Sequence, residues 1–278
     1  MIRVVADSTC DLPKEQVEEF NIEIIPLYIN FGDQGYLDQT EISRQEFYER
    51  MPAASPLPTT ATPGIDMFRQ AYDQLAGDGA TQILSIHISH NLSATVDVAR
   101  TAAKETASAK VTVYDSRQLS LGMGYLVQAA AKAAKENKSM DEIIAILDEL
   151  NTRTYVFAAL ETLEYLQRSG RMSSVVARLG NILRIKPILK MHEGDPTGER
   201  VRTYERAIQR IIQLVRELGT LEQLDLVHTN APSRADELYQ RSIELFPAGK
   251  KPISVDVTPA LGANIGPGVV GFSCIAAK

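Results

Sequence analysis

The stretch QILSIHISHNLSATVDVARTAAKETASAKVTVYDS, residues 82–116, decides the architecture. It opens as a buried strand, with apolar Ile83, Leu84, Ile86 and Ile88 in a short run. Small polar residues from Ser89 to Ser93 interrupt that run, and SATVDVARTAAKET then carries helical spacing. KVTVYDS, residues 110–116, is a strand again. Strands separated by helices predict a parallel sheet with helices on its faces. In such sheets a ligand sits beyond the carboxyl ends of the strands. Asp7-Ser8, Ser89-His90 and Asp115-Ser116 all fall at that edge, so the abrupt polarity after Ile88 marks a candidate binding edge.

The same alternation extends outward on both sides. IRVVADS (2–8) reads as a strand, LPKEQVEEF (12–20) as a helix and IEIIPLYINF (22–31) as a second strand. Ser43 with Glu46, and Ser139 with Glu142, form capping-box patterns before helical segments. Thr62-Pro63 has the form of an N-cap and first-turn proline before GIDMFRQAYDQL, and GYLVQAAAKAAKEN (124–137) is an Ala-rich helix. After about residue 152 the rhythm changes. YVFAAL is a strand and LEYLQRSGRM a helix ending at Gly170. RIKPILKM and RVRTYER read as strands flanking the polar turn HEGDPTGE, which is a hairpin pattern. A long helix, AIQRIIQLVREL, follows; then come LDLVHTN, a helix over 233–246, ISVDV and a terminal strand GVVGFSCIAA. The expectation is an α/β protein of two domains. Residues 1–155 form an N-terminal parallel-sheet domain, residues 156–278 a C-terminal domain with a mixed or antiparallel sheet, and a ligand cleft lies between them.

Composition narrows the function. The chain has 278 residues, 44% hydrophobic and 23% charged, with a net charge of −6. An acidic surface repels phosphate backbones, which argues against nucleic-acid binding. Cys10 and Cys274 have no paired spacing and read as reduced thiols. With no signal peptide pattern and no apolar run long enough to span a bilayer, the expected location is the cytoplasm, with no integral membrane segment. His87, His90, His192 and His228 have no metal-ligand spacing, so no metal is expected. There is no P-loop, no dinucleotide fingerprint and no G-x-S-x-G elbow.

Three polar segments remain. Ser93 stands near a helix start, where unpaired N–H groups favour an anion; alternatively Asn91 or Ser93 simply caps the helix. PTTAT (58–62) is a hydroxyl-rich loop, and LGANIGPG (261–268) a glycine-rich loop that permits close backbone approach to a ligand. Cys10 follows the first strand without an identifiable base beside it.

These segments also occur in a recognisable order. ADSTCDLP (6–13), TTATP (59–63), ISHNLSAT (88–95), VYDS (113–116) with LGMG (121–124), LEYLQRSGRM (163–172), KPIL (186–189) and LGANIGPG (261–268) together resemble the DegV family over essentially the full chain. The resemblance implies two α/β domains with a long-chain fatty acid buried between them and no further cofactor. It also implies a bacterial protein that presents the lipid carboxylate to a fatty-acid kinase, the ATP chemistry belonging to that partner. Carried over residue by residue, Ser93 matches the serine that hydrogen-bonds the carboxylate. Thr60 matches a threonine of the same site, with Thr59 as the competing alignment. Asn264 stands where the family usually has histidine. Arg171 and Arg202 match basic positions at the exposed head-group end, where His90 is a further candidate for contact with the head group or the partner. His90 replaces a serine, Ala61 a serine, Ala94 a glycine and Ser169 a glycine. The competing function is an acyl- or phosphoryl-transfer enzyme using Ser93 or Cys10.

Overall fold

The computed structural model describes residues 1–171 and 185–278; Met172 and Arg184, the ends of two of the motifs above, lie outside them. In chain order the first half carries β1 (Ile2–Asp7), α1 (Lys14–Glu19), β2 (Glu23–Ile25), β3 (Tyr28–Phe31), β4 (Gln34–Leu37), α2 (Arg44–Arg50) and β5 (Thr59–Ala61). It continues with α3 (Ile65–Gly77), β6 (Gln82–His87), α4 (Thr95–Glu105), β7 (Lys110–Asp115), α5 (Ser120–Lys135) and α6 (Met140–Asn151). The second half carries β8 (Thr154–Ala159), α7 (Glu164–Arg168), β9 (Lys186–His192), β10 (Asp195–Val201) and α8 (Tyr204–Glu217). It ends with β11 (Leu221–His228), α9 (Pro232–Arg241), β12 (Ser254–Asp256), α10 (Pro259–Ile265) and β13 (Val270–Ala276).

The opening stretch forms the strand–helix–strand unit it predicts. β6 and β7 lie side by side in a four-stranded sheet of order β2-β1-β6-β7, with every pair parallel. The side-chain alternation of the strands builds two cores. Val4, Leu84 and Ile86 face Leu126, Ile143 and Leu147 of α5 and α6. Val5 and Ile83 face Phe68, Tyr72 and Ala99 of α3 and α4. Each such aliphatic side chain contributes about 1.5–3 kcal/mol when fully buried.

The second half forms a six-stranded mixed sheet, β10-β9-β8-β13-β11-β12, antiparallel except for the β11–β12 pair. One face, with Phe157, Ile188, Phe272 and Cys274, packs on Ile208, Ile211 and Val215 of α8. Because strand side chains alternate, Val156, Ala158, Leu189 and Met191 point the opposite way. Among the described residues no helix is long and apolar enough to cross a membrane.

The structure differs from the sequence expectation at several boundaries. Segment 22–31 is two strands, broken at Pro26, which has no N–H for a ladder. The Leu27 N–H turns to Ser8 Oγ (3.3 Å), and β3 joins a separate antiparallel sheet, β4-β3-β5. PTTAT therefore contains a strand, β5, paired to β3. Gly64, not Thr62, is the N-cap of α3. The Ala-rich helix begins at Ser120, four residues early, because Gly122 and Gly124 lie inside it for packing: a Cβ at Gly124 would stand 2.6 Å from the Cys10 carbonyl. The hairpin turn is only Glu193-Gly194, both with positive φ, so DPTGERV is strand and Thr203 caps α8. LGANIGPG is largely helix, α10, ending in Gly266 and Gly268.

Candidate functional site

A cavity, open at its mouth, lies between the loops of the first half and the free face of β8–β9. Its wall is mainly aliphatic. Val156, Ala158, Leu189 and Met191 come from the mixed sheet; Ile88, Leu92 and Leu119 come from the loops after β6 and β7. α10 contributes Ala260, Leu261, Asn264 and Ile265. Among the described residues that line it there is no aspartate or glutamate, so an acid entering the cavity meets no like charge at its wall.

Four of the residues singled out in the sequence line this one cavity: Thr60, Ser93, Arg171 and Asn264. They arrive on four separate segments. Ser93 sits in the turn before α4, yet it is not the helix N-cap; Ala94 is, and it makes no side-chain cap bond. Ser93 Oγ lies 2.8 Å from Thr95 Oγ1 and accepts the Thr95 N–H at 3.3 Å. Asn91 does not cap either: its Nδ2 donates to the Gly194 carbonyl at 2.6 Å, tying the loop to the hairpin tip. Thr60 is half-buried in the middle of β5, whereas its neighbour Thr59 is exposed on the alternate side and is not in the lining. Asn264 Nδ2 donates to the Ala260 carbonyl one turn back (2.8 Å), which orients the amide on α10. Arg171 donates to the Ser169 carbonyl at 2.6 Å, just after Gly170 in its left-handed conformation.

Three other candidates stand apart. His90 is exposed outside the lining, with Nδ1 2.5 Å from Asp115 Oδ2. Arg202 is exposed beyond the end of β10, between that strand and the Thr203 cap. Cys10 is buried beside the first sheet, and burial pushes its thiol up to about 12, so it carries no thiolate at neutral pH.

Two buried polar networks support the loops. Asp7 holds the turns after β1 and β6 together: its carboxylate accepts the Ile88 N–H (3.0 Å), the Thr9 N–H (3.0 Å) and the Thr9 hydroxyl, and faces His87 Nδ1 at 3.0 Å. His87 Nε2 continues to Ser85 Oγ (2.7 Å) and Ser85 to the Tyr72 hydroxyl (2.8 Å). All of these side chains are buried, so the histidine is a satisfied core residue. The second network centres on Asp11 and Asp38. Burial raises both carboxyls to about 6, against the opposing pull of Arg44 and Ser120 on Asp11 and of Thr258 and Ser8 on Asp38.

The lining residues that sequence reasoning missed are mostly apolar. Leu189 and Met191 had a signal, the strand alternation that sets them opposite Ile188 and Lys190. Lys190 Nζ pairs with Glu199 at 3.0 Å. Thr9 and Leu119 had no signal beyond their place after strands.

Comparison with known proteins agrees with this architecture. The family model described as "Uncharacterised protein, DegV family" matches residues 1–277. A DegV domain-containing protein of Streptomyces coelicolor is 32% identical over 274 residues, covering 97% of this chain and 96% of that protein. One from Staphylococcus aureus strain COL is 33% identical over 273 residues, with 97% and 96% covered. Among solved structures, a DegV family protein from Thermus thermophilus, described for its fatty acid binding, superposes with a TM-score of 0.89 at 30% identity, covering 99% of both chains. DegV of Bacillus subtilis, described as a fatty acid binding protein, gives a TM-score of 0.89 at 29% identity, again over 99% of both chains. With the parallel sheet, the mixed sheet and the ordered loop motifs in place, and with the family model spanning the chain, this protein belongs to the DegV family.

Proposed function

We propose that this protein binds one long-chain fatty acid in the cavity, with the carboxylate held by Ser93, Thr60 and Asn264 and the tail along Val156, Ala158, Leu189 and Met191. The observation that carries the reading is the convergence of those three polar residues, from three distant segments, on one mainly aliphatic cavity whose other charged lining groups, Arg171 and Lys190, are both cationic. Residues 1–155 and 156–278 are the two domains that form it. Thr60 is preferred over Thr59 because only Thr60 lines the cavity. The relatives of known structure from Thermus thermophilus and Bacillus subtilis, described as binding fatty acids, support the ligand class. The tail supplies the affinity: at about 0.8 kcal/mol per buried CH₂, ~14 methylenes give on the order of 11 kcal/mol before the costs of binding. Each head-group hydrogen bond adds about 1–2 kcal/mol and fixes orientation.

The bound acid is presented to a fatty-acid kinase, which performs the phosphoryl transfer. Arg171, at the cavity, and Arg202, exposed beyond β10, form the basic end that faces the partner. The enzyme alternative is disfavoured: the Cys10 thiol is buried and protonated, and the bonds of the Ser93 hydroxyl run to Thr95, which offers no general base. Mass spectrometry of the denatured protein separates the two readings. A released free fatty acid supports the carrier; a covalent acyl adduct overturns it.

A further inference from the structure

α10 carries Asn264 and three aliphatic residues of the cavity wall, yet it is anchored by the opposite half of the chain. The side chain of Thr258, its N-cap, does not bond its own helix. The Thr258 hydroxyl donates instead to Asp38 Oδ2 at 2.5 Å, and its N–H donates to Asp11 Oδ1 at 2.8 Å. Gln39 Nε2 reaches the same hydroxyl at 3.3 Å. The Tyr48 hydroxyl donates to the Val257 carbonyl at 3.0 Å, and Gly262 lies so close to the Tyr48 ring that a Cβ would stand 2.3 Å from its oxygen. Asp38 is in turn fixed by the Ser8 hydroxyl (2.7 Å), and Asp11 by the Ser120 hydroxyl (2.6 Å) and Arg44 (3.4 Å). Asp11, Asp38 and Thr258 are all buried. Asp11 follows the first strand of the parallel sheet, and Asp38 follows β4. The Thr258 hydroxyl and N–H, with the Tyr48 contact, therefore tie the start of α10 to the half that carries Ser93 and Thr60, while Thr229 of the second half bonds the Gly266 carbonyl at its other end (2.8 Å).

We propose that Asp11 and Asp38 are positioning residues of the head-group end, acting through Thr258 to hold α10, and with it Asn264, at bonding distance from the ligand carboxylate. The proposal rests on the fatty-acid reading for its ligand, but the clamp itself does not. A carboxylate that holds a helix start from another part of the chain converts a loop position into a fixed register, as an internal cap does within one helix. Neither carboxylate lines the cavity, so both act at one remove.

The test uses the delipidated full chain and palmitate, by calorimetry, with amide exchange read at Leu261 and Gly262, whose N–H groups bond the Thr258 carbonyl. Asp38→Ala and Thr258→Val each weaken palmitate binding roughly tenfold, whereas Asp38→Asn and Thr258→Ser, which keep the bond, stay within about twofold. In an Asn264→Ala background the Asp38→Ala loss largely disappears, because the group it positions is gone. Unchanged affinity in Asp38→Ala and Thr258→Val, or the same loss in both backgrounds, overturns the proposal. Should the wild type fail to bind palmitate, the fatty-acid reading falls. In that event, faster exchange at Leu261 and Gly262 in the Thr258→Val apo protein still supports the clamp, and unchanged exchange overturns it.

Discussion

The two walls of the cavity are built by different means. One wall consists of the strand-end loops and short strand of the first half together with α10, which the second half contributes and the first half ties down; the backbone at Ile88 and the start of α10 are held by buried carboxylates. The wall from the second half is one face of a regular sheet, Val156 and Ala158 on β8 beside Met191 and Leu189 on β9. Polar recognition needs atoms placed one by one, and loops tied to a rigid edge can do that. Apolar recognition needs only area and shape, and strand alternation provides both. The difference predicts unequal sensitivity: filling the sheet wall displaces several methylenes at once, while trimming one polar group removes a single bond.

The largest effect is therefore expected at the sheet wall. Ala158→Phe places a ring where the tail is proposed to lie and should lower fatty-acid affinity by at least ~1000-fold, since about five methylenes at ~0.8 kcal/mol each lose their contacts. Calorimetric titration checks it, and retained affinity would break the assignment of that wall to the tail. Ser93→Ala is expected to cost less, about 1–3 kcal/mol, because the carboxylate loses one charge-assisted bond while staying partly desolvated. Unchanged affinity with the fold intact by circular dichroism would leave Ser93 as a turn residue alone.

The next effect is on stability. Asp38 has a folded pKa raised to about 6 from an ordinary 3.8, by burial. A raised carboxyl pKa contributes stability that is complete below the ordinary value and is lost as pH rises through about 6. The stability of Asp38→Asn relative to wild type should therefore move in the variant's favour between about pH 4 and pH 7, by on the order of 2 kcal/mol. Denaturant melts at the two pH values check the sign. A shift the other way would mean that the buried carboxylate is better solvated than its surroundings suggest.

Smaller still is the pH dependence of binding. Asparagine cannot change charge, His90 sits outside the cavity on Asp115, and the buried Asp11 and Asp38 carboxyls, raised to about 6, are ionised above neutrality, so affinity should be nearly flat between about pH 7 and pH 8. Asn264→His should introduce tighter binding on the acid side, and a wild-type transition abolished by His90→Asn would contradict this. The smallest effect on lipid affinity is expected from Arg171→Ala, within about 0.5 kcal/mol, as for a half-buried cation at the cavity mouth that solvent partly screens. The same variant should lose most turnover with a cognate kinase.

The sequence was legible where pattern and structure share a period. The β6–α4–β7 unit followed directly from apolar spacing, and so did α8, whose buried Ile208, Ile211 and Val215 recur on one face. β5 was hidden because three residues carry no period, and only pairing with β3 makes Thr59–Ala61 a strand. α10 was hidden by Gly262, which weakens helix propensity but is required against Tyr48. The Asp38–Thr258 and Asp11–Thr258 bonds span 220 and 247 residues, so no local pattern announces them. Ser93, Thr60, Arg171 and Asn264 were found through ordered motifs, and Leu189 and Met191 through parity only once the register was known.

One fatty acid is proposed to lie with its carboxylate between Ser93, Thr60 and Asn264. The most direct measurement is carbon NMR of carboxyl-labelled palmitate bound to the delipidated protein. A single bound resonance is expected at one equivalent, insensitive to pH between about 7 and 8, above the titration of Asp11 and Asp38, and displaced in both Ser93→Ala and Asn264→Ala. A resonance that titrates like free palmitate, or that neither substitution moves, would contradict it.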